Sequence, residues 1–353
     1  MQIGTLGRTS ISVSRVGLGT MMLGEMIPPA EAKRQLSHAV ERGINFIDTS
    51  EMYPAPLRPT TFGLTETLIG EWLSETGLRD RLVLSTKVVG PPPREVIGPT
   101  KTLAYIRDGK TRQDRANLRA GIEGSLRRLK TDYIDLFQPH WPDRSTNDFK
   151  KLGYVHDPKD RPVPIEETLD ALDELVREGK VRAIGVSNET PWGLSRYLSA
   201  SERQGKTRVA TITNAYNLLC RTFEVGLAEF AHREDVGLLA YSPLAMGVLS
   251  GKYLDGNRPD GARLSLYPHP RYTSEAAQRA TAAYAALARE HGVSLAAMAL
   301  GFVAEQPFLV SSLIGASTIA QLDADIDASL TPLTADLRAG IAAIHAAISN
   351  PGP

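Results

Sequence analysis

Leu82-Val83-Leu84-Ser85-Thr86-Lys87, a helix-like stretch over 114–129, and Tyr133-Ile134-Asp135-Leu136-Phe137 together decide the fold of this chain. Both apolar runs are short, rich in strand-forming residues and not strictly alternating, which is how strands buried on both faces read. With an amphipathic helix between them they make one β-α-β unit. The same alternation recurs outward from this unit. Val16-Gly17-Leu18-Gly19 and Asn45-Phe46-Ile47-Asp48 precede it, while Ala183-Ile184-Gly185-Val186-Ser187, Ala210-Thr211-Ile212-Thr213, Gly237-Leu238-Leu239-Ala240-Tyr241 and Ser311-Ser312-Leu313-Ile314-Gly315 follow. Helical patterns cover 30–42, 65–75, 165–178, 192–204, 223–233, 274–305 (in two pieces broken at Gly292) and 317–328, and a last helix covers 335–349. Eight such units, with no Pro/Gly/Ser linker dividing them, predict an α/β fold in which 1–353 form a single (β/α)8 TIM barrel domain. A short N-terminal β-hairpin, 2–6 and 11–13 around Gly7-Arg8, precedes the barrel.

Bulk composition narrows the function. Lys and Arg total 40, as do Asp and Glu, so no global field draws nucleic acid or an anionic membrane. The lone Cys220 cannot form an intramolecular disulfide, and no Cys/His cluster has zinc-site spacing. No basic-then-apolar leader opens the sequence, and no stretch approaches the roughly 20 apolar residues of a membrane span. The expected setting is cytoplasmic and the expected partner a small molecule. No apolar helix face marks an oligomer interface, so the oligomeric state stays open.

Three connections, from about 88 to 113, 141 to 164 and 242 to 273, are too long for plain turns. All follow strands and so fall on the C-terminal rim, where barrel enzymes keep their chemistry. Four polar residues lie there too: Asp48 ending the second strand, Tyr53 five residues on, Lys87 ending the third strand, and His140 just past the fourth. An Asp paired with the Lys leaves a cation that would lower the pKa of a neighbouring phenol. Tyr53 then donates a proton near neutral pH, and His140 orients the substrate oxygen. Singly, each has a bland reading: a turn cap, core packing, a solvated strand end, a structural histidine. Together at successive strand ends they fit a carbonyl reduction, with hydride from a cofactor and a proton from the protein.

These blocks resemble the aldo-keto reductases. Asn45-Phe46-Ile47-Asp48-Thr49-Ser50-Glu51-Met52-Tyr53, Ser85-Thr86-Lys87 and 132–140 are similar to that family's three catalytic blocks, and Gly179 to Asn188 to a fourth signature. Glu51-Met52-Tyr53-Pro54, Trp141-Pro142 and Asn188-Glu189-Thr190 look closest to its bacterial Tas-like branch. The resemblance implies that Tyr53 is the general acid, Lys87 with Asp48 its tuning pair, His140 the donor on the oxyanion side, and NADP(H) the cofactor.

It also implies a cofactor site. Ser187 and Asn188 would hold the nicotinamide carboxamide and Tyr241 would stack on the ring. The run from Ser242, Pro243 and Leu244 to Tyr253 would strap the pyrophosphate, with Lys252 and Arg263 as its cations and Arg263 reaching the 2′-phosphate. Gly315, Ser317, Gln321 and Asp325 complete the set. Independently of any family, the helix start after Gly315 favours a phosphate, and Ser317 also fits an N-cap. Thr213 stands where the family has Gln, and Asp325 where it has Asn. The Asp325 charge opposes a 2′-phosphate, and Pro139 before His140 bears on how the ring is aimed. Gly17-Leu18-Gly19 lacks the third glycine of a dinucleotide fingerprint, and Gly251-Lys252-Tyr253 is no P-loop.

Three functions follow: NADPH-dependent reduction of an aldehyde or ketone, a cofactor-binding regulator with slow turnover, or an isomerase or aldolase with Lys87 as a Schiff base. The third ranks last, because Lys87 paired to Asp48 stays protonated. Trp141, Arg144, Lys150, Lys151 and Tyr154 on the rim loops either face a substrate or are solvated.

Overall fold

Parallel pairing joins the eight apolar runs into one closed barrel. The computed structural model describes residues 1–92, 103–147, 149 and 151–353. Its barrel strands are β3 (Val16–Gly19), β4 (Phe46–Asp48), β5 (Val83–Val88), β6 (Ile134–Pro139), β7 (Val181–Ser187), β8 (Val209–Ala215), β9 (Gly237–Tyr241) and β10 (Leu309–Ile314). Each pairs with the next, and β10 closes on β3. The barrel strands are buried along most of their length on both faces, which explains the missing polar alternation.

The predicted hairpin is present as β1 (Ile3–Thr5) and β2 (Ser12–Ser14), paired antiparallel. It closes the N-terminal end: Leu6, Ile11 and Val13 pack with Phe46, Val83, Leu136, Ala183, Ala210 and Leu239 in one buried cluster. Gly7 makes this fit, since its φ is +51° and a Cβ there would lie 2.5 Å from the Ala210 carbonyl.

An outer layer of helices covers the strands: α1 (Pro29–Glu41), α2 (Leu64–Thr76), α3 (Arg115–Leu129), α4 (Ile165–Arg177), α5 (Pro191–Gln204), α6 (Leu227–Glu234), α7 (Glu275–Glu290), α8 (Leu295–Ala304), α9 (Ile319–Ser329) and α10 (Ala335–Ala347). Local chemistry sets their starts. Asp114, Thr190, Ser274, Ser294 and Thr334 each accept a backbone N–H from the first turn of α3, α5, α7, α8 and α10. Gly292, at φ +67°, separates α7 from α8 as the sequence indicates. No helix among the described residues is long and apolar enough to cross a membrane.

The three long connections leave β5, β6 and β9 at the C-terminal rim. Residues 93–102 of the first and Lys150 of the second lie outside the described residues. The first is tied down by Glu51, which is buried, accepts the Val89 N–H at 2.7 Å and pairs with Arg107.

Candidate active site

A line of buried polar groups crosses the barrel and ends at Asp48. Thr213 on β8 donates its hydroxyl to Gln138 Oε1 (2.7 Å), Gln138 Nε2 donates to Ser85 Oγ (3.0 Å), and Ser85 donates to Asp48 Oδ1 (2.9 Å). Lys87 Nζ takes Asp48 Oδ2 and also donates to the Thr49 carbonyl at 3.0 Å. All five side chains are buried. Every hydrogen-bond dipole in the line points toward the carboxylate, so the buried negative charge is met on both oxygens. The strand period of two supplies the register: Ser85 and Lys87 share the inward face of β5, and Gln138 precedes His140 by two.

Tyr53 and His140 flank this pair. Lys87 Nζ stands 6.0 Å from the centre of the Tyr53 ring, and the Tyr53 and His140 rings meet edge to face at 5.8 Å. His140 follows β6, its N–H bound to the Val88 carbonyl at 2.9 Å. Pro139 pairs in register with Val88, so it ends the strand without displacing the histidine. Trp141 is buried against the imidazole (ring centres 4.8 Å apart) and donates its indole N–H to the Pro91 carbonyl at 2.6 Å.

The electrostatics correct one expectation. Lys87 does not bring the Tyr53 phenol down: burial drives it well above the ordinary tyrosine value, the charge of Asp48 and the neighbouring Tyr241 add to this, and Arg263 opposes it. The reason is geometric, because Lys87 spends its ammonium on Asp48 and the Thr49 carbonyl. The free phenol therefore keeps its proton. His140 is held well below the usual histidine value by burial and by the Lys87 charge, so it is a neutral imidazole.

The cofactor-side residues converge only in part. Asn188, in left-handed backbone at φ +53°, donates from Nδ2 to the His140 carbonyl (2.9 Å) and accepts the Tyr241 hydroxyl on Oδ1 (2.7 Å). Ser187 Oγ donates to the Thr213 carbonyl at 3.0 Å. Ser187, Asn188 and Tyr241 thus border the same mouth as His140. Thr213, at the family's Gln position, turns its hydroxyl inside the barrel onto Gln138. Ser242, at φ +54°, turns the chain into the strap, where buried Pro243 and half-buried Leu244 precede the 3-10 turn Ala245–Ser250.

Lys252 lies on that strap with its ammonium 5.5 Å from the Tyr253 ring centre. Arg263 opens the helical turn Arg263–Leu266 and reaches Met21 Sδ at 4.0 Å, close enough to Tyr53 to act on its phenol. Arg263 makes no ion pair among the described residues, and withdrawal from water lowers its pKa. After β10, exposed Gly315 and Ser317 lead to α9. The N-cap is Thr318, which accepts the Gln321 N–H at 3.2 Å, and not Ser317, whose own N–H is taken by the Gln321 side chain at 3.0 Å. Asp325 is buried one helical turn on, and burial pushes its carboxyl up to about 6 against the pull of Lys252.

Reasoning from sequence alone passed over Ser50, Ser85 and Gln138. The signal for the latter two was available: each sits two residues before a proposed site residue on a strand, and so on the same face. Ser50 carried no such signal. Of the rim residues, Trp141 faces the site and Arg144 binds Glu189 at the base of α5, while Tyr154 is exposed.

A profile described as "Aldo/keto reductase family" matches residues 15–346. The chain is 47% identical over its whole length to "Protein tas" of Escherichia coli, also covered completely. It is 33% identical to "Uncharacterized oxidoreductase YrpG" of Bacillus subtilis, over 91% of this chain and 89% of that protein. It is 28% identical to "Probable voltage-gated potassium channel subunit beta" of Arabidopsis thaliana, over 95% of each.

Proposed function

The chain belongs to the aldo/keto reductase family, and on that premise we propose that it reduces an aldehyde or ketone to an alcohol with NADPH, Tyr53 supplying the proton. Membership supports oxidoreductase action on carbonyl compounds. What carries the finer reading is one observation: a phenol that keeps its proton lies between a neutral imidazole and a buried Lys87–Asp48 pair.

The residues of the rim suit a dinucleotide phosphate. Arg263 is a half-buried cation without a carboxylate partner among the described residues, and Lys252 adds a second charge beside the strap. Lys252 and Arg263 would hold the phosphates, and Ser187, Asn188 and Tyr241 would hold the nicotinamide. The bound cofactor supplies the hydride.

The protein's own steps follow from acidity and charge. His140 and Tyr53 would turn their polar edges to the carbonyl oxygen. The oxygen becomes an alkoxide, a base far stronger than a phenolate, so even a phenol of raised pKa gives up its proton to it. The Arg263 guanidinium, the charge that lowers the Tyr53 phenol, offsets the phenolate left behind, while the Asp48-bound Lys87 ammonium stands 6.0 Å from the ring centre. A buried Trp141 beside His140 keeps one wall of the mouth dry.

Fluorescence titration with NADPH and NADH, then turnover of a reactive aromatic aldehyde, tests this reading in the wild type and in Tyr53→Phe. The variant is expected to bind NADPH normally and to lose about 10²- to 10⁴-fold in turnover. Wild-type-like reduction by Tyr53→Phe would remove the proton-donor role. Tight binding by the wild type with no turnover would favour a cofactor-binding regulator instead.

A further inference from the structure

The imidazole of His140 has two faces, and only one of them has a partner. Nδ1 lies 2.9 Å from Ser50 Oγ, while Nε2 makes no hydrogen bond to any described residue. Ser50 is completely buried, on the turn between Asp48 and Tyr53. A neutral imidazole carries one ring proton, and the hydrogen bond at one nitrogen decides which of the two holds it. The neighbours of Ser50 settle the direction of that bond.

The hydroxyl has a single proton and two acceptors in reach: Nδ1 at 2.9 Å and the Lys87 carbonyl at 3.3 Å. The Lys87 carbonyl is already served by the Glu51 N–H at 3.1 Å. Nδ1 has no other donor among the described residues, and burial makes an unmet ring nitrogen costly. On its other side Ser50 Oγ is approached by the Met52 N–H at 3.5 Å, which takes one of its lone pairs. The shorter contact and a carbonyl that already has a donor both favour sending the serine proton to Nδ1.

We propose that Ser50 is a positioning residue that fixes His140 as the Nε2–H tautomer, so that the ring's only N–H faces the barrel mouth. Without Ser50 the ring would divide between two tautomers, and the one with a bare Nε2 would present a lone pair to the substrate oxygen and repel it. The consequence for turnover rests on the reductase reading; the tautomer itself does not.

The test uses the full chain labelled with 15N-histidine. Long-range 1H–15N correlation spectra distinguish a protonated from a bare ring nitrogen, and the His140 signals are identified by their loss in His140→Gln. The wild type is expected to show Nε2 protonated and Nδ1 bare and hydrogen-bonded. In Ser50→Ala the Nδ1 signal is expected to lose its hydrogen-bond shift and the tautomers to mix. kcat should fall about tenfold, less than the roughly 10²- to 10³-fold loss of an entire oxyanion donor, because part of the population keeps the productive form. NADPH affinity should not change. Ser50→Thr, which retains the hydroxyl, should restore both the tautomer and kcat.

A wild type with Nδ1 protonated would overturn the proposal. So would Ser50→Ala with unchanged ring signals, even if its activity fell. A tautomer change in Ser50→Ala, in a wild type that reduces no carbonyl tested, would uphold the role of Ser50 and remove the reductase reading.

Discussion

Gln138 donates to Ser85 Oγ across 3.0 Å and so couples Thr213, on one side of the barrel, to Asp48 on the other. A glutamine with no exposed surface in a barrel core needs both ends of its amide satisfied, and here each end has a partner. Gln138→Met keeps the volume and removes both. It leaves the Thr213 hydroxyl buried without an acceptor and is expected to cost about 1–3 kcal/mol in urea unfolding. Adding Thr213→Val should recover part of that loss. Strict additivity of the two would show that the two side chains are not energetically linked.

The Lys87–Asp48 pair gives a larger effect. Both side chains are buried, so deleting one leaves the other as an uncompensated charge. Lys87→Met is expected to destabilise the fold by about 3–5 kcal/mol, and Lys87→Met with Asp48→Asn by less. Both are expected to lose carbonyl reduction, since each removes the cation beside the Tyr53 ring. Denaturant melts of the two variants check the order. A double variant less stable than the single one would mean that Asp48 is held chiefly by Ser85 and its chain.

How far these sites could be foreseen depends on what kind of property each is. Strands such as Val83–Val88 and Ile134–Pro139 were visible because burial on both faces writes an unbroken apolar run into the sequence. The placement of Asp48, Tyr53, Lys87 and His140 around one mouth followed from strand order alone. The direction of the Tyr53 shift did not, because it depends on which partner Lys87 chooses once folded. Thr213 shows the same thing: a hydroxyl on a barrel strand can turn toward the mouth or toward the axis, and only the position of Gln138 decides. The start of α9 shifted from Ser317 to Thr318 because both are competent caps, and backbone geometry makes the choice.

Arg263 provides a prediction on cofactor choice. Its guanidinium crosses to Met21 and has no carboxylate partner among the described residues, so an incoming anion meets a half-buried cation not already neutralised. The family resemblance assigns it to the 2′-phosphate. Arg263→Ala is then expected to weaken NADPH by about 10- to 100-fold, the worth of a charge-assisted hydrogen bond, and NADH much less. Equal losses in parallel fluorescence titrations would place the guanidinium on a part that both dinucleotides share.

At Asp325 charge and burial conflict. Burial holds its carboxyl at about 6, above the ordinary carboxylate value of 3.8, and Lys252 relieves only part of the cost. The folded protein therefore keeps a proton that the unfolded chain releases between those two values. Stability must fall as pH rises through that window, and the deficit is complete above it. Asp325→Asn removes the deficit. It is expected to raise stability on the order of 1–3 kcal/mol at about pH 7.5, with the gain fading as the pH falls toward 4. The same change removes the negative charge that opposes a 2′-phosphate, so NADPH affinity should rise at about pH 7.5 while NADH affinity stays level. Thermal melts at the two pH values decide the first point. A gain of equal size at both would show that the amide acts through hydrogen bonds of its own, and the loss of a buried charge would then explain neither the stability nor the change in cofactor affinity.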